Sequence, residues 1–183
     1  AREQIRLYVD ENRGRPQKFD HRFGVNDGLT CAWLYAVTIL VIHILQRDQL
    51  LSIDWGQIGM SHAGAIRQGE WWRAVTALGL HIDTVHLFGN LVFGLLFVFL
   101  AGELLGWGLA WAGILLAGSL GNALNAYVQA PSHVSVGAST AIFASVGILA
   151  AYSWSRRSRQ INRWIPLGGG VAILAFVGMG GER

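Results

Sequence analysis

The chain has 183 residues, of which 52% are hydrophobic and 14% charged, with eight Trp and a mean hydropathy of +0.39. Water-soluble domains of this length rarely have such a profile, so the composition reads as a membrane protein. The formal net charge of +3 needs no nucleic acid to explain it, and a lone cysteine, Cys31, excludes an intrachain disulfide framework or a Cys-based metal cluster.

Residues 1–28 mix both charge signs and lack the short apolar core and small-residue cleavage site of a secretory signal; they read as an N-terminal tail in the cytoplasm. Five apolar segments of membrane-spanning length follow, at about 29–45, 84–101, 107–127, 138–154 and 162–178. Together they make a membrane domain over 29–183. The connection 46–83 carries Trp71 and Trp72 followed by Arg73, a composition suited to the headgroup region. The second and third spans are separated only by AGELLGWG. The resulting fold class is all-α, a polytopic helical membrane protein.

Basic residues orient the spans. Arg2, Arg6, Arg13, Arg15, Lys18 and Arg22 precede the first, and Arg156, Arg157, Arg159 and Arg163 lie between the fourth and fifth. By the positive-inside rule both clusters belong to the cytoplasmic side, where they suit anionic headgroups. Four spans separate them, an even number, so the two assignments agree. The 46–83 and 128–137 connections are then extracytoplasmic, and His86, Asn90 and Ser139 are expected at similar depth near that surface.

His86 and Asn90 are four residues apart in HLFGN and so share one face of a helix. Such polar groups serve either as hydrogen-bonding glue between helices or as the lining of a water-filled cavity. Ser139 follows Gly137 in VSVGASTAIFASVG. A serine at a helix start commonly caps free backbone N–H groups. The same N–H groups and the positive end of the dipole would also stabilise an oxyanion formed beside it. Gly137 lets a substrate approach the backbone, and Phe143 and Gly147 continue the Ser139 face. His43 reads as a helix-packing residue with its polar atoms satisfied, and His21 and His62 as tail and loop. His81 and His133 read as loop residues or cavity lining. No metal-ligand set stands out.

Glu70-Trp71-Trp72-Arg73, the run His81-x4-His86-x3-Asn90, Gly102-Glu103, and Gly137-Ala138-Ser139 with Phe143 and Gly147, in this order and on these spans, resemble the rhomboid intramembrane serine proteases. The resemblance covers about residues 29–178. It implies a six-helix core, of which five spans are present, and a serine endopeptidase that cleaves transmembrane-segment substrates near the extracytoplasmic side and needs no cofactor. Position by position, it implies Ser139 as nucleophile and His86, Asn90 and the Ser139 backbone N–H as oxyanion stabilisers. Phe143 would support the catalytic histidine, Trp72 and Arg73 would have structural roles in the first loop, and Glu103 would pin the cytoplasmic end of the second span. Thr140 and Ala144 stand where the family usually has glycine, adding bulk near the site. No histidine follows His133, so the expected base, carried by a sixth span, would lie beyond Arg183. The alternative is an inactive rhomboid-like protein that binds transmembrane partners or joins a larger membrane complex. The expected location is a membrane of the bacterial inner (cell) membrane type.

Overall fold

The computed structural model describes residues 3–4, 24–49 and 52–155, with side chains through 152. The rest of the N-terminal tail and the fifth expected span, 162–178, lie outside the described residues. The elements in chain order are α1 Val25–Arg47, α2 Trp55–Gly59, β1 Ser61–His62, α3 Ala63–Arg67, α4 Arg73–Thr76, α5 Thr84–Leu105, α6 Trp107–Val128, β2 Val134–Ser135 and α7 Ser139–Ser155.

Three of these helices, α1, α5 and α6, are long and apolar enough to cross a bilayer. Many of their large apolar side chains point outward, including Trp33, Phe88, Leu116, Leu120 and Leu124. In water this would be a liability. In hydrocarbon it is the ordinary surface of a polytopic all-α membrane protein. α7 is helical from Ser139 through Ser155, the last of the described residues.

Helix ends follow local chemistry. Asp83 Oδ1 accepts from the His86 N–H at 2.7 Å and so caps α5, while Asp54 Oδ1 accepts from the Gln57 N–H at 2.9 Å and caps α2. Gly106, at φ 78°, adopts the left-handed conformation that separates α5 from α6, so α5 runs on through Gly102 and Glu103 to Leu105.

The core is built on α5. Against it lie Cys31, Tyr35 and Ile39 of α1, Ala110 and Ile114 of α6, and Ala138 and Ala141 at the start of α7, with Leu87, Val98 and Ala101 contributed by α5 itself. Small residues let the backbones approach. A β-carbon on Gly102 would stand 2.7 Å from Cys31 Cβ and 3.0 Å from the Asp27 carbonyl oxygen, and one on Gly94 would overlap the Tyr35 ring.

The long 46–83 connection is more structured than a headgroup-level loop. Its β1 pairs antiparallel with β2, Ser61 opposite Ser135 and His62 opposite Val134. His62 is thus not a plain loop residue, and its Nδ1 also accepts from the Ala65 N–H at 3.2 Å to cap α3. The Gly64 N–H donates to the Pro131 carbonyl at 2.8 Å and the Gly137 N–H to Ala77 at 2.9 Å. These bonds hold the connection against the segment that leads into α7.

Candidate active site

The α5 cap starts the helix so that His86 and Asn90 present one face toward the chain entering α7. Asn90 is buried, and the Tyr35 hydroxyl on α1 donates to its carbonyl at 2.8 Å. α1 thereby fixes the height of that turn of α5.

Gly137 completes the arrangement. Its φ is +123°, a conformation that side chains with a β-carbon rarely adopt. A β-carbon there would lie 2.6 Å from His86 Cε1, 2.7 Å from His86 Nε2 and 3.4 Å from Asn90 Nδ2. The imidazole and the carboxamide therefore fill the space that the missing side chain leaves. Two residues later Ser139 opens α7, whose first N–H groups have no acceptor within the helix. Two N–H-bearing side chains and a helix N-terminus thus meet around one glycine. Such a set can stabilise negative charge on a substrate oxygen.

His81 packs behind His86 and is 1% exposed, so it is not a surface residue, and with His43 it borders a small cavity. Its ring meets His86 edge-on, centroids 5.3 Å apart, and its Nδ1 lies 3.1 Å from the Gly79 carbonyl oxygen. Burial, with His86 close by, pulls its pKa down to about 4. His43, expected to be a satisfied helix-packing residue, has a buried Nδ1 with no partner among the described residues, and its ring lies edge-on to His81 at 6.4 Å. His133 is held elsewhere, by Asn125 Nδ2 at 3.5 Å from its Nε2 and by the Ala63 N–H on its carbonyl.

The remaining expected residues stand apart from this cluster. Arg73 bonds to Glu70 and donates to the Gln57 and Met60 carbonyls, so it ties α4 to α2. Trp72 is partly exposed beside it. Glu103 is at the far end of α5, where a β-carbon on Gly28 would meet its Cγ at 2.8 Å. Phe143 is half-buried on α7, and Gly147 meets nothing within 4 Å among the described residues.

Thr140 does not crowd the cluster as expected. Its hydroxyl donates to Asn122 Oδ1 at 2.9 Å, and its methyl occupies the space left by Gly121 on α6. Asn122 Nδ2 in turn donates to the Ala74 carbonyl at 2.9 Å, joining α6, α7 and α4. Sequence reasoning missed Asn122, although a carboxamide within an apolar span is itself a signal of polar contact. It also missed Asp83, whose place just before an apolar run marks a helix start. Nothing local to Tyr35 marked its contact with Asn90.

The model of the Rhomboid domain matches residues 68–181. The chain belongs to the rhomboid family. Over 109 residues it is 36% identical to Rhomboid-like protease 3 of Toxoplasma gondii, covering 58% of this chain and 41% of that protein. Rhomboid protease GluP of Bacillus subtilis is 30% identical over 122 residues, 67% of this chain and 23% of that one. The chain thus spans less than half the length of either relative. No solved structure matches it. Family membership and the apolar helices together make this rhomboid an integral membrane protein.

Proposed function

We propose that this rhomboid domain, residues 29–183, is part of an intramembrane serine endopeptidase acting on transmembrane segments. The observation that carries the reading is the convergence of His86 and Asn90 on Gly137, two residues before Ser139. Ser139 attacks the scissile carbonyl, and His86, Asn90 and the Ser139 N–H receive the oxyanion. A general base takes the serine proton and returns it to the leaving amine. Because no histidine follows His133, that base is assigned to a histidine outside these 183 residues. Trp72, Arg73 and Glu103 hold the scaffold, and Phe143 supports the base. The basic clusters favour a cytoplasmic N-terminus, which puts cleavage near the extracytoplasmic face.

The alternative reading is a rhomboid-like protein that binds transmembrane partners without cutting them. One experiment separates the two: the full-length protein in proteoliposomes with a transmembrane substrate, beside Ser139→Ala. Cleavage and fluorophosphonate labelling, both lost in the variant, are expected. Cleavage that persists in Ser139→Ala would overturn the assignment of the nucleophile. Substrate capture without cleavage by the parent would favour the binding reading.

A further inference from the structure

Among the described residues, three buried side-chain nitrogens around the site lack a hydrogen-bond partner: His43 Nδ1, His81 Nε2 and Asn90 Nδ2. Buried polar atoms nearly always have partners, through ordered water where the protein supplies none. Two of the three belong to a row of imidazoles, His43 on α1, His81 before α5 and His86 on α5, with successive centroids 6.4 and 5.3 Å apart. His43 and His81 also border a cavity of about 260 Å³ whose other walls are Gln46, Ile82, Thr84 and the charged Arg47 and Asp83. That is ample for water, each molecule of which takes ~30 Å³ in the liquid.

The hydrogen-bond roles along the row can be worked out. His81 Nδ1 lies 3.1 Å from the Gly79 carbonyl oxygen, which can only accept, so Nδ1 carries the proton. The ring stays neutral, since burial and the neighbouring His86 and His43 outweigh the favourable effects of Gly79 and Asp83. His81 Nε2 is therefore a lone pair. His86 Nε2 is the ring nitrogen next to Gly137, so donation to an oxyanion there requires its proton on Nε2 and leaves Nδ1 as a lone pair. Neighbouring rings that both offer acceptors cannot satisfy each other. A water molecule can, by donating one hydrogen to each, and its oxygen then accepts from His43 Nδ1–H.

We infer that His43 is a positioning residue: through a water shared by the three rings, it and His81 hold His86 in the Nε2–H tautomer that donates toward Gly137 and Ser139. The catalytic consequence rests on the protease reading, whereas the hydrogen-bond pattern does not. Asn90 Nδ2 lies on the Gly137 side and is left for the substrate oxygen.

The test uses full-length protein labelled with 15N-histidine in lipid nanodiscs, assayed in parallel for cleavage of a transmembrane substrate. In the parent, His86 is expected protonated at Nε2 and His81 at Nδ1. His43→Leu should mix the His86 tautomers, lower kcat about tenfold with little change in KM, and shift the acidic limb of the pH profile, a smaller effect than the ~10²–10³ of losing an oxyanion donor outright. His43→Asn keeps a donor at the Nδ1 position and should restore both readouts. His43→Gln displaces the donor and should not. If His43→Leu fails to fold, the Asn and Gln pair makes the same comparison. A parent His86 protonated at Nδ1, or identical His86 tautomers in Asn and Gln variants, overturns the inference. If the parent shows no protease activity, the protease reading fails while the tautomer measurement still decides this one.

Discussion

Replacing Gly137 by alanine adds a single methyl group where the structure leaves no room. The new β-carbon would stand 2.6 and 2.7 Å from His86 ring atoms, while φ +123° already strains any residue but glycine. The backbone cannot easily retreat, because the Gly137 N–H is bonded to the Ala77 carbonyl and α7 begins two residues later. Strained backbone costs about 1–3 kcal/mol. Overpacking adds about 1–3 kcal/mol, so a rigid site would lose roughly 2–6 kcal/mol of stability. If the His86 ring swings aside instead, the structural cost falls toward the strain alone, but on the proposed mechanism a donor to the oxyanion is lost, at about 10²–10³ in kcat. Gly137→Ala is therefore expected to reduce stability, activity or both, measured as reversible unfolding in mixed micelles and as kcat/KM on a transmembrane substrate. Gly89→Ala on α5, where nothing lies within 4 Å among the described residues, serves as the control and should be neutral or up to ~1 kcal/mol more stable. A Gly137→Ala protein as stable as the parent, with kcat/KM within about threefold, would refute the placement of His86 against Gly137.

Tyr35→Phe removes only the hydroxyl that donates to the Asn90 carbonyl, and is expected to cost about 1 kcal/mol of stability, read by the same unfolding assay. Stability should also depend on pH through His81. Its pKa is about 4 in the folded protein against an ordinary 6.5, so the unfolded chain binds the proton more readily. The stabilisation is complete above pH 6.5 and is lost as pH falls toward 4, on the order of 3 kcal/mol in all. Replacing His81 by Asn should flatten that part of the stability profile, and an unchanged slope would show that other groups produce it.

Much of the architecture could be read along the chain because its causes are local. Apolar runs mark the spans through the cost of exposing backbone and polar groups to hydrocarbon, and among the described residues three helices are long and apolar enough to cross a bilayer. His86 and Asn90 share a face through the helical repeat alone. Their convergence on the glycine before Ser139 has a different origin, since it joins residues about fifty positions apart. The same holds for Tyr35, 55 residues from Asn90, and for Thr140, whose extra bulk is absorbed by Gly121 of another helix.

His43 shows the division most clearly. In sequence it is one histidine near the end of an apolar run, with no periodicity or neighbouring motif to distinguish a packed ring from a functional one. Its unpartnered nitrogen gains meaning only because α1 packs along α5, through Gly94 and Gly102, closely enough to bring its ring beside His81. Helix formation and membrane insertion are decided by each segment's own residues. Which polar atoms face one another is decided by how small residues let those segments approach.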